Sequence, residues 1–438
     1  MQELGGALVE IIFWISMFLF ISQTIYKIII KKDYFNLSVY LMLGIHLPFI
    51  LYLLNWSSQI ESNISPVIYV LLSCLNIFVF VVNSVFSHSI NDREFNYTTL
   101  RSNKSVYFFN IVYLFAVLLE NFMGSGYFLP ALKGIDIHTY SAPIISYLTQ
   151  SLFTVLLLNF MYWYKSRNNK FLFWIVLFIA LPVIGKSSRM TVVISIVQLV
   201  SFMLFMYLND RKYKNKKNMI LNKKRHKILI AITLAAFMFF MTFLTEYRWG
   251  GYGQFQVSYS DSIGYTGPET LKNITSIYYG YFALSYNNLN MNIQYRNIDH
   301  NYVGLYSFKS LYFGLFRLHN IFNFSPYEPE VGKYYKSGSA TVQTGFFDFY
   351  YDYGILCFIP ILVGVAIYYL LKRRIHARNS SVFSYAIYFL WIPVWFFMSF
   401  QNVIYESTLI IRVIILYFVV KYYFKKDNKQ LEAEGGKL

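Results

Sequence analysis

Two aspartates, Asp348 and Asp352, lie four residues apart in the run Phe346-Phe347-Asp348-Phe349-Tyr350-Tyr351-Asp352-Tyr353-Gly354. That spacing puts both carboxylates on one face of a helix. A carboxylate near a helix N-terminus is stabilised by the backbone dipole, a structural reason for one of them. A pair on one face also suits activation of a sugar hydroxyl. Lys186 and Arg189 share the short sequence Gly185-Lys186-Ser187-Ser188-Arg189 between two apolar runs. Arginine recognises two phosphate oxygens with one planar fork, and lysine adds a point charge beside it. The plain alternative is a pair of side chains snorkelling among lipid headgroups.

Arg248, Arg296 and Arg317, with Glu246, His300 and His319, are spread along the charge-poor stretch that precedes the aspartates. Outward-facing cations there suit an anionic ligand, and ordinary solvated surface is the alternative for each. His319 shares a helical face with Tyr312, Leu315 and Phe316. Its ring titrates near neutrality and suits a general base, or it makes structural hydrogen bonds at an interface. Glu120 and Arg412 are charges inside apolar runs, where they either pair or line a cavity. Tyrosine and phenylalanine beside asparagine and glycine suit stacking on sugar faces, and an interfacial aromatic belt explains them equally well.

Other chemistries lack their residues. Gly185-Lys186-Ser187-Ser188 looks like the tail of a phosphate-binding loop, but Ala180 stands where the first glycine belongs and no strand precedes it. There is no paired-aspartate motif for a metal-bound nucleotide sugar, no His-Glu-x-x-His and no Gly-x-Ser-x-Gly. Cys74 and Cys357 both fall in apolar runs and build neither a disulfide framework nor a zinc site. No cofactor is expected.

The elements that must position these residues are membrane helices. Of 438 residues, 56% are apolar and 13% charged, against about 25% charged in a soluble protein. A soluble multi-domain enzyme and a disordered chain are both excluded. The net charge of +17 does not point to nucleic acid, because most Lys and Arg sit in short loops between apolar runs. The first run follows a start without a basic region and reads as an uncleaved span.

At about 20 residues per crossing, the apolar runs give an all-α polytopic membrane protein with about eleven spans. They lie near 5–30, 36–55, 64–86, 105–123, 143–164, 171–184, 190–208, 228–245, 346–371, 382–400 and 404–424. The sixth and seventh are separated by a sharp turn at Gly185, or form one broken helix. Lys27, Lys31, Lys32, Arg93, Arg101, Lys104, Lys165, Arg167, Lys170, the basic loop 211–227, Lys372, Arg373, Arg374, Lys425 and Lys426 then fall on one side. The positive-inside rule makes that side cytoplasmic, with the N-terminus outside and the C-terminus inside. The chain divides into a bundle of about eight spans over 1–245, a large external loop over 246–345, a bundle of about three spans over 346–424 and a tail over 425–438. Loops of that length tend to be functional. Ile274–Leu289 and Tyr302–Leu318 read as short amphipathic helices on the membrane surface.

Taken together, the Gly185-Lys186-Ser187-Ser188-Arg189 turn, the large external loop before the last spans and the run Thr344-Gly345-Phe346-Phe347-Asp348-Phe349-Tyr350-Tyr351-Asp352-Tyr353-Gly354-Ile355 resemble the Wzy-type O-antigen and capsule repeat-unit polymerases. Cys357 stands near where the family usually carries a further glycine. The resemblance implies a GT-C-like, metal-independent glycosyltransferase of the bacterial cytoplasmic membrane. Its substrates would be oligosaccharides linked to undecaprenyl pyrophosphate, with a chain-length regulator and a flippase as candidate partners.

In that reading Arg189, Lys186, Arg248 and Arg317 stabilise the departing pyrophosphate, and His319, Asp352 or Glu246 serves as base. Arg296, His300, Asp348 and Glu120 are candidate substrate contacts. O-antigen ligases share the layout. A lipid-linked oligosaccharide flippase or other transporter is the alternative from another class, for which short external loops and more charge within the spans are expected.

Overall fold

A computed structural model describes residues 2–31, 33–85, 100–130, 143–186, 189–212, 258–296, 298–315, 344–375, 381–399 and 407–424. The described residues are helical, with isolated bridges and no strand among them. In chain order the helices are α1 (Gln2–Ile29), α2 (Leu37–Leu53), α3 (Pro66–Val85), α4 (Asn103–Ser125), α5 (Pro143–Thr149), α6 (Leu152–Ser166) and α7 (Lys170–Lys186). They continue with α8 (Arg189–Lys212), α9 (Tyr259–Ser262), α10 (Lys272–Tyr295), α11 (Gly345–Tyr353), α12 (Phe358–Ile375), α13 (Val382–Phe396) and α14 (Ser407–Tyr423).

Four segments are long and apolar enough to cross a membrane: Gly6–Ile29, Pro66–Val85, Asn103–Ser125 and Gly345–Ile375. Leu37–Leu53, Lys170–Pro182, Val193–Leu208 and Val382–Phe396 are shorter apolar helices. The run 228–245, expected as the eighth span, lies outside the described residues. The outer faces of α1 and α4 carry exposed Leu8, Ile11, Phe18, Ile29, Phe108 and Phe115. So wide an apolar surface suits hydrocarbon rather than water.

The chain forms two compact units. The first takes residues 1–91, 215–369 and 394–406, and the second takes 92–214, 370–393 and 407–438. This grouping cuts across chain order.

In the first unit α1 packs on α3, and polar side chains join them. Gln23 donates to the Phe80 carbonyl at 2.8 Å, and the buried Lys27 donates to the Asn83 carbonyl at 2.7 Å. Lys27 therefore holds two helices together besides contributing to the charge bias. A π-helical turn, Met42–His46, interrupts α2. Gly44 within it lies against the carbonyl oxygens of Trp395 and Phe396, so close that a Cβ would overlap them.

Ile274–Leu289 does not form a short surface helix. It belongs to the 24-residue α10, whose C-terminal half is buried and rich in asparagine. The reason is hydrogen bonding to the loop between α2 and α3. Asn287 accepts from Glu61 N at 2.8 Å and donates to the Gln59 carbonyl at 3.0 Å. Asn290 accepts from Ser65 N at 2.8 Å and donates to the Asn63 carbonyl at 2.7 Å and to Tyr52 Oη at 3.0 Å. Amides on one helix thus satisfy backbone that would otherwise be buried unpaired. Tyr279 Oη accepts from Trp56 N at 2.7 Å. Burial pushes that phenol above the ordinary tyrosine range, against the opposing effect of the Trp56 bond.

In the second unit, Asn110 and Asn159 exchange amide hydrogen bonds of 2.7 and 2.9 Å, and Tyr423 Oη donates to Asn110 Oδ1 at 2.9 Å. This closed network ties α4, α6 and α14 together with its amides fully buried. Residues 143–164 are not one helix, because α5 ends at Thr149 and α6 begins at Leu152.

Phe171 at the start of α7 lies against Tyr162, and Phe202 in α8 lies against Phe160. Both helices therefore meet the same stretch of α6, α7 with its first turn and α8 with its second half. They are two helices running in opposite directions, and Lys186 and Arg189 stand at their joined ends, away from Tyr162.

Candidate functional site

Asp348 and Asp352 both lie on α11, as their spacing predicts. Asp348 is in the first turn, where the helix dipole favours it. Asp352 is near the C-terminal end, where the dipole opposes a negative charge, and its surroundings compensate. The carboxylate is fully buried and accepts from four donors. They are Asn301 Nδ2 at 2.5 Å, Tyr306 N at 3.1 Å, Ser307 N at 2.6 Å and Ser307 Oγ at 2.6 Å. Asn301 in turn accepts from Val303 N and Gly304 N at 2.9 and 3.0 Å. The segment 301–307 is thereby wrapped around the end of α11.

The same end gathers two basic side chains. Arg296, the residue that closes α10, places its guanidinium 5.1 Å from the Tyr351 ring centre. His300 Nδ1 is 3.1 Å from the Tyr351 carbonyl. A carbonyl only accepts, so Nδ1 carries the proton and donates. The His300 ring also meets Tyr350 and Tyr302 edge-on, at 5.6 and 6.0 Å between centres. The Arg296 guanidinium near a helix C-terminus complements the dipole.

Gly354 follows with φ +54, and a Cβ there would stand 2.8 Å from His300 Nε2. The chain breaks at this glycine. Phe346, Phe358, Ile361 and Leu362 line one shallow apolar crevice together with Leu71, Leu75 and Cys357. A straight helix would set Phe346 and Ile361 about 22 Å apart. The helix is therefore not straight: a short 3-10 turn, Gly354–Cys357, separates α11 from α12 inside the stretch Gly345–Ile375, which keeps the length and apolar character of a span. Glycine is required because the turn needs a left-handed φ and His300 occupies the space of a side chain.

Four of the residues selected from sequence thus come together: Arg296, His300, Asp348 and Asp352. Glu120 lies in the second unit, 1% exposed, with its carboxylate accepting from Ser146 Oγ at 2.8 Å and from Thr149 Oγ1. Arg412 reaches the same α5–α6 region: its Nε donates to the Gln150 carbonyl at 3.2 Å and its guanidinium lies 4.3 Å from the Phe153 ring centre. Lys186 ends α7 and Arg189 begins α8, and their side chains lie outside the described set. Glu246, Arg248, Arg317 and His319 also lie outside the described residues.

Sequence reading passed over Asn301, Ser307 and Tyr302, and gave Gly354 only as part of the aspartate run. The signal for the turn was the Asn301-to-Gly304 spacing, an asparagine that bonds backbone two and three residues on. Among the described residues no three of His, Cys, Asp and Glu gather as a metal site would. Comparison with known proteins found no matching family model, curated protein or solved structure.

Proposed function

We propose that the chain is a glycosyltransferase that polymerises lipid-linked oligosaccharide repeat units at the outer face of the bacterial cytoplasmic membrane. In this reading about eleven helices in a GT-C-like arrangement span the bilayer, with the N-terminus outside and the C-terminus cytoplasmic. The supporting observation is the gathering of Arg296, His300, Asp348 and Asp352 around the aspartate-bearing helix and its tyrosines. Guanidinium, imidazole and carboxylate groups beside aromatic rings suit a sugar chain carrying phosphate.

The hydroxyl oxygen at the non-reducing end of one lipid-linked repeat unit bonds to the anomeric carbon of the glycan on a second carrier. The bond from that carbon to the pyrophosphate oxygen breaks, and its electron pair leaves with undecaprenyl pyrophosphate. The hydroxyl proton passes to a base. Preorganised cations stabilise the departing charge, and we assign Arg189, Lys186, Arg248 and Arg317 to this role in that order. Asp352 already accepts four hydrogen bonds, so we assign it to holding the 301–307 segment and place the base at His319 or Glu246. Arg296 and His300 hold the glycan.

The test is complementation of a strain that lacks the chain. Arg189→Ala at wild-type membrane level should leave only single repeat units on the carrier lipid. A wild-type polymer ladder from that variant would remove Arg189 from the mechanism.

A further inference from the structure

Four non-glycine residues among those described adopt a positive φ, and Tyr302 at φ +54 is the aromatic one. Left-handed backbone disfavours a bulky side chain. Its neighbours hold it there: Tyr302 N donates to the Asp352 carbonyl at 2.9 Å, and Asn301 Oδ1 takes the next two backbone N–H groups. Glycine would satisfy this turn more easily, yet a tyrosine occupies it with 60% of its surface exposed. The ring is not filling a core. It stands beside the His300 ring, with exposed Asp299 on the same segment.

An exposed ring held on a turn beside an imidazole, on a segment that also carries an exposed aspartate, matches one ligand chemistry. A pyranose offers an apolar C–H face to a ring and a rim of hydroxyls to polar groups. We propose that Tyr302 is the stacking platform for a sugar residue of the glycan, with Asp299 and His300 as the groups that take its hydroxyls. The inference rests on the polymerase reading for the identity of the glycan, and it places the binding energy on a residue outside the chemistry of transfer.

Two substitutions separate stacking from folding. Tyr302→Gly removes the ring and relieves the backbone, so the melting temperature of the purified protein should stay level or rise. Tyr302→Phe keeps the ring. The probe is the repeat-unit oligosaccharide released by mild acid from the source cells' lipid-linked precursor. Saturation-transfer NMR on protein in nanodiscs should show contact with sugar C–H groups for the wild type and Tyr302→Phe. For Tyr302→Gly the affinity should fall about tenfold.

Binding by Tyr302→Gly equal to wild type overturns the platform, and so does a wild type that polymerises but shows no sugar contact. Tyr302-dependent binding by a protein that makes no polymer keeps the platform and removes the polymerase reading. A nitroxide placed at position 302, with Cys74 and Cys357 replaced by Ser, should relax with a water-soluble nickel complex. Preferential relaxation by oxygen would make Tyr302 a lipid-interface anchor and overturn the proposal.

Discussion

Asp352 has the type and position of an acceptor base, but its environment is that of an anchor. A carboxylate at the unfavourable end of a helix persists because four donors meet it. Asp352→Ala would remove the carboxylate to which Tyr306 N and Ser307 N donate. We expect a loss of about 2–4 kcal/mol, measured by SDS-titrated unfolding in mixed micelles. Asp352→Asn keeps one accepting oxygen and should lose less. Equal stability of Asp352→Ala and wild type would show that the turn is held by something else.

A second residue-scale prediction concerns Gly354 and His300. Gly354→Ala adds a methyl 2.8 Å from His300 Nε2 and strains a φ of +54, costing about 1–3 kcal/mol. With His300→Ala present the steric part disappears, so the double variant should be more stable than the sum of the singles. Strict additivity would contradict the proposed close packing.

At the scale of elements, hydropathy and helical period identified the apolar runs but not their interruptions. The breaks at Gln150–Ser151 and Gly354 lie inside apolar stretches that a sliding window reads through. The positive φ and the His300 approach that fix the second break involve residues 54 positions apart. The asparagines of α10 were misread for a related reason. On a surface helix they are solvated polar positions, and here they are buried because a distant loop offers backbone groups to them. Asn290→Ala removes two such bonds and a third to the Tyr52 hydroxyl on α2 and should cost about 2 kcal/mol or more. Hydrogen exchange should accelerate across residues 59–65 with little change in α1. Unchanged exchange there would mean that the loop is held independently of α10.

At the scale of the whole molecule, composition was enough for an all-helical chain with segments of membrane length, because a 56% apolar sequence with 13% charge has few other soluble or insoluble solutions. The convergence of Arg296, His300 and the aspartate helix was not legible, since it depends on how α10, the 298–309 segment and α11 pack. The aspartate spacing was legible because a helix repeats locally. The proposal of glycan polymerisation rests on the combination of cationic residues and aromatic rings beside helices of membrane length.

The most direct measurement is a reconstituted reaction with purified protein and authentic lipid-linked repeat unit, in the presence of a chelator and without nucleotide sugar. The account predicts a ladder of polymer with release of undecaprenyl pyrophosphate. Absence of polymer, with movement of the same substrate across proteoliposomes, would contradict it and make the chain a transporter.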